Sequence, residues 1–174
     1  QTKALHLLSA SQFESSDLQT ALETAEKAVR CGEQAGASRE AQAEFSHALY
    51  RLGRVHLTLG NYTEAIALGE KAVETAEKIG EAGMRTIPFA YHLISSVYVI
   101  LGDFEKAAFY EGEEIKINRR LGNTRQLANG LNSLGEIRRQ QGDGQKAIEF
   151  YDEALALMRE IGNKSSEIMA LSNR

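Results

Sequence analysis

The chain has 174 residues, is 43% hydrophobic and 25% charged, and carries a formal net charge of −4. That balance excludes a disordered chain, and no apolar run approaches the roughly 18 residues that a membrane-spanning helix needs. Lys and Arg form no cluster of the kind that holds nucleic acid, and the single Cys31 allows no internal disulfide, in keeping with a reducing, cytoplasmic setting.

Four related units follow one another, each expected to be a helix, a tight break and a second helix. Residues 1–36 make the first, with its break near Ser16 and the most diverged second half, "SDLQTALETAEKAVRCGEQAGA". Residues 37–80 make the second: "LYRLGRVHLTLG" leads to a break at Gly60, and "GNYTEAIALGEKAVETAEKIGE" carries the chain through Gly80. Residues 81–122 make the third. It holds Pro88, the only proline, which belongs in the first turn of a helix capped by Thr86, where a proline does no harm. The third break is Gly102, and "GDFEKAAFYEGEEIKINRRLGN" closes at Gly122. Residues 123–162 make the fourth: Leu127, Leu131, Leu134 and Ile137 form one apolar stripe at the helical period, and Ala147, Tyr151, Ala154, Leu155 and Met158 form the next. Residues 163–174 read as the opening of a fifth unit, so the chain is expected to be a piece of a longer protein.

The spacing shows where length may vary. The closing glycines Gly36, Gly80, Gly122 and Gly162 fall 44, 42 and 40 residues apart. The small middle residues Ser9, Gly53, Ser95 and Gly135 always stand 7 residues before the break, and the break always stands 20 before the closing glycine. All variation lies between one closing glycine and the next middle residue, as expected of a fixed pair of packed helices joined to its neighbour by a freer loop. One such pair cannot bury both of its apolar stripes, whereas stacked pairs can.

Leu52-Gly53 and Leu134-Gly135, Ala65, Ala107 and Ala147 after the breaks, and Ala28, Ala72 and Ala154 seven residues further on resemble the tetratricopeptide repeat. The unit length is that of its longer, ~40-residue variant, as in maltose-activator-type regulators and Leu-Gly-Asn-repeat adaptors. The resemblance covers the whole chain. It implies an all-α, right-handed superhelical solenoid of antiparallel helix pairs, whose first helices line a concave face. It also implies a non-enzymatic scaffold that holds a peptide or protein segment, with no cofactor. The alternative is an effector-sensing segment of a larger bacterial-type regulator.

On that geometry the partner-binding face collects His6, His47, Tyr50, Arg54, Phe89, His92, Asn129, Asn132, Glu136 and Arg139. Aromatic and histidine rings and paired amides on an outward helix face suggest a groove, and an asparagine can both donate to and accept from a peptide backbone. Tyr50, Arg54, His92, Asn132 and Arg139 are expected to be solvent-accessible. Glu111, Glu113 and Glu114 form a possible secondary acidic patch at a packing seam. Either a small helix rotation carries these carboxylates to solvent, or they meet a basic partner or another subunit. The four histidines are too far apart in the array to share a metal ion, and Cys31 has no assignable base, so no metal site and no catalytic residue follow. The apolar residues Ile168 and Leu171 at the chain end leave room for self-association. No partner among nucleic acids or membranes is expected.

Overall fold

The structure is a computed structural model and describes residues 18–162. Within them the chain forms seven α-helices: α1 (Leu18–Gln34), α2 (Arg39–Thr58), α3 (Tyr62–Lys78), α4 (Ile87–Ile100), α5 (Phe104–Leu121), α6 (Thr124–Gln140) and α7 (Gly144–Glu160). A 3-10 turn, Gly80–Ala82, follows α3, and no strand occurs among the described residues. The expected first helix, with its break near Ser16, and the opening of a fifth unit lie outside the described residues.

The breaks fall where the repeat spacing puts them. Gly36, Gly60, Gly80, Gly102, Gly122, Gly142 and Gly162 all have positive φ, between 62° and 87°, the left-handed backbone that glycine reaches at little cost. At four of them the local chemistry is the same. Asn61, Asp103, Asn123 and Asp143 each donate a backbone N–H to the carbonyl five residues back, on His56, Tyr98, Asn118 and Arg138. This is the Schellman arrangement that stops a helix. The same four residues then cap the next helix, their carbonyls accepting from Ala65, Ala107, Leu127 and Ala147. Asp103 and Asp143 add a side-chain cap on the N–H of Lys106 and Lys146. The lysine ammonium groups hold both carboxyls below the usual carboxylate range. A two-residue Gly-Asx turn thus ends one helix and starts the next with few backbone groups left over. In the longer link before α4, Thr86 stands just ahead of the helix, its carbonyl accepting from Ala90, and Pro88 is the second helical residue.

The described chain forms two compact units divided between Val97 and Tyr98. In the first, α2 packs on α1 and α3, and fully buried Ala21, Ala25, Ala28, Ala48, Ala65, Ala72 and Ala76 let these helices approach closely. In the second, α6 packs on α5 and α7 around Ile115, Leu131, Leu134, Ile137 and Met158. The middle glycine has the same task in both. A Cβ on Gly53 would lie 3.3 Å from the carbonyl oxygen of Ala65, and one on Gly135 3.2 Å from that of Ala147. The Leu-Gly pairs mark the crossing of the two helices of a unit. No described helix is long and apolar enough to cross a membrane.

Candidate functional site

In the first unit, α2 and α4 lie side by side. The Ser46 hydroxyl donates to that of Thr86 at 3.3 Å. The rings of His47 and Tyr50 meet Phe89 at centroid distances of 6.5 and 5.6 Å. A Cβ on Gly53 would touch the Leu93 side chain at 2.7 Å. The partners advance together along both helices, so α2 and α4 run parallel. His47 also meets Tyr50 at 5.5 Å, which closes a three-ring cluster.

The members of this cluster differ in exposure. Phe89 is 39% exposed and His92, one turn further along α4, is exposed; His47 and Arg54 are half-buried. Tyr50 is buried at 8%, which corrects the expectation that it is accessible. The reason is its place between two adjacent first helices: His47 and Phe89 cover the ring on two sides, and the Arg51 guanidinium stands 5.7 Å from its centroid. Tyr50 therefore props the cluster, while Phe89 presents it. Arg51 did not stand out in the sequence, because adjacent residues on a helix do not ordinarily face each other.

In the second unit, Asn129, Asn132, Glu136 and Arg139 recur three, four and three residues apart along α6, the spacing of one helix face. Asn129 and Arg139 are exposed; Asn132 and Glu136 are half-buried. Glu136 is the hub. It accepts from Arg139 Nε at 2.9 Å and from a second guanidinium nitrogen at 2.5 Å, from Gln140 at 3.1 Å, and from the Tyr151 hydroxyl at 3.1 Å. The Arg139 hydrogen bonds, aided by those of Gln140 and Tyr151, pull the Glu136 carboxyl down to about 2. Burial, with the Glu136 hydrogen bond second, pushes the Tyr151 phenol up, and the carboxylate likewise raises Arg139. Tyr151 itself is 1% exposed, and Gly135 makes space for its ring, which a Cβ there would approach to 2.6 Å. The sequence showed Tyr151 only as a core residue; the clue to its polar role is that a buried phenol needs a hydrogen-bond partner.

The acidic cluster is corrected. Glu111 and Glu114 are 1% and 5% exposed and form no solvent-facing patch. For Glu114 the cause is Gly130 on α6: a Cβ there would collide with a Glu114 carboxylate oxygen, so the missing side chain is the space the carboxylate fills. The Asn118 amide donates to Glu114, and Asn123 donates to Asn118. Glu113 stands apart, half-buried and paired with Lys116. His6 lies outside the described residues. Among those described, no group of His, Cys, Asp or Glu is placed to hold a metal ion.

Two tetratricopeptide-repeat family models match the chain, one over residues 44–120 and one over residues 131–165. No curated protein matches it. Among solved structures, aspartyl phosphate phosphatase F from Bacillus subtilis is similar with a TM-score of 0.85 at 16% identity, covering 94% of this chain and 41% of that one. A Rap protein complexed with Competence and Sporulation Factor is similar with a TM-score of 0.77 at 16% identity, over 95% of this chain and 45% of its own. BtubC from P. vanneervenii follows with a TM-score of 0.71 at 20% identity, over 83% and 58%. At such identities the likeness carries the fold alone, and this chain spans about half the length of those structures. The two repeat matches agree with the helix pairs and their glycine crossings, and the chain belongs to the tetratricopeptide-repeat family.

Proposed function

We infer that the chain is a non-enzymatic module that holds a peptide or protein segment on the outward face of its first helices, in a cytoplasmic setting. The observation that carries this reading is the ring cluster of His47, Tyr50 and Phe89, built across α2 and α4 with Phe89 left 39% exposed. Interface anchors are typically aromatic and set in a partly formed pocket, and a buried Tyr50 behind an open Phe89 has that form. The solved Rap structure in complex with Competence and Sporulation Factor adds a precedent for a bound partner on a similar fold. Within the second unit, taken by itself, α6 carries the amides of Asn129 and Asn132, groups that suit backbone recognition.

The test is selection of short peptides from a random displayed library, followed by affinity measurement. Phe89→Ala should weaken the selected peptides by about tenfold, the loss of one interface anchor. An unfolding midpoint close to that of the parent protein would show that the fold survives. A library that yields no peptide sensitive to Phe89→Ala or His92→Ala would overturn the assignment.

A further inference from the structure

Of the large apolar side chains left exposed among the described residues, Phe109 on α5 is the most open, at 61%. Counted from the break before each second helix, its place and that of Gly112 are held by Glu23 and Glu26 in α1, Ala67 and Glu70 in α3, and Glu149 and Asp152 in α7. α5 thus carries a ring and a bare backbone where the other second helices carry mainly carboxylates. Tyr110 meets Phe109 edge-on at 5.3 Å and stacks on Tyr98 at 5.7 Å, so the exposed ring is propped from one side. Lys106, one turn before it, is drawn aside to Asp103 at 2.9 Å and, at 5.0 Å, to the Tyr98 ring.

Gly112 stands one turn after Phe109. A glycine inside a helix costs stability, so it calls for a reason. The other glycines in helix interiors find theirs within the chain. A Cβ on Gly32, Gly69 or Gly130 would collide with Phe45, Ile94 or Glu114, and Gly53 and Gly135 mark helix crossings. Around Gly112, nothing among the described residues lies within 4 Å of where a Cβ would be. Its bare backbone is open to an approaching surface, beside a ring that projects.

We propose that α5 pairs with α5 of a second copy of this chain, antiparallel about a two-fold axis, with Phe109 of each copy seated on Gly112 of the other. None of the residues of the α2–α4 face takes part. Glu105, Phe109, Gly112 and Lys116 recur four, three and four residues apart, which puts them on one helix face. Phe109 and Gly112 share their midpoint with Glu105 and Lys116. The register that seats the ring therefore also sets Glu105 of each copy opposite Lys116 of the other. Both side chains are exposed. Within its own chain Lys116 pairs with Glu113, and Glu105 accepts from Gln141. Such exposed contacts are weak enough to be shared with a second copy. A parallel pairing would oppose Glu105 to Glu105 and Lys116 to Lys116, so charge selects the antiparallel one. One helix pair falls short of the about 800 Å² that each partner buries in a stable dimer, so the association is weak, with a Kd of about 10–100 µM.

The test is sedimentation velocity of the full chain over a dilution series that spans that range. The parent protein should pass from monomer to dimer. Phe109→Glu, at an exposed position, should stay monomeric throughout and keep the parent's unfolding midpoint. Gly112→Ala should raise the unfolding midpoint where all the protein is monomeric, and should weaken association several-fold. An alanine that stabilises the helix and leaves dimerisation intact overturns the seat on Gly112. Glu105→Lys and Lys116→Glu should each associate less than the parent, and the two variants mixed should associate as the parent does, since each supplies the charge the other lacks. A mixture no more associated than its components overturns the antiparallel register. A parent protein that stays monomeric at the highest concentration, or a dimer that survives Phe109→Glu, overturns the proposal.

Discussion

Glu136 shows how one side chain ties a surface to a core. Its carboxylate is half-buried on α6, yet it takes the hydroxyl of Tyr151, which is 1% exposed on α7. The Tyr151→Phe protein should lose about 1.5–3 kcal/mol of stability, the usual net worth of a hydrogen bond to a charged group, read as a lower midpoint in denaturant. The pH dependence follows from the direction of the Glu136 shift. Its pKa falls from an ordinary 4.5 to about 2 on folding, so its stabilising effect is complete above pH 4.5 and disappears as pH drops towards 2. Glu136→Gln should therefore lower the thermal midpoint at neutral pH, and the gap to the parent protein should close as the medium is acidified through that window. A gap that stays constant down to low pH would show that the ionised carboxylate is not what stabilises the helix pair.

Among the elements, the glycines sort into two kinds by what surrounds them. Gly135 sits at the crossing of α6 and α7, where a Cβ would meet the Tyr151 ring at 2.6 Å. Gly135→Ala should cost about 1–3 kcal/mol, the range for overpacking a close contact. Gly112 lies inside α5 with nothing within 4 Å of where its Cβ would be. Gly112→Ala should stabilise the protein by about 0.5–1 kcal/mol, because a helical glycine gives up more backbone freedom than alanine does. Denaturant unfolding of the two variants should move in opposite directions. The helix pairs, their breaks and the Gly53 and Gly135 crossings were legible from spacing, because a repeated turn needs the same residue types each time. The burial of Glu111 and Glu114 was not, since the space for Glu114 is created by Gly130 on a different helix. Tyr50 was misjudged for a related reason. A helical phase tells which way a side chain leaves its own helix, but not that Phe89 of the next first helix will cover it.

At the scale of the whole molecule, stability should be local. Repeat arrays gain most of their stability within units and between neighbours, so a defect need not spread through the chain. The described residues form two compact units divided between Val97 and Tyr98, a division that falls inside α4, so one continuous helix joins them. Leu131, 1% exposed, lies in the core of the second unit, and Leu49, fully buried, in that of the first. Leu131→Ala should remove about 2–5 kcal/mol from its surroundings, as other buried leucine truncations do. Amide hydrogen exchange should then speed up across α5, α6 and α7 while α1, α2 and α3 keep most of their protection. Leu49→Ala should give the reverse pattern. If either substitution accelerates exchange equally in all seven helices, the two units unfold as one, and the continuity of α4 outweighs the separation of the cores.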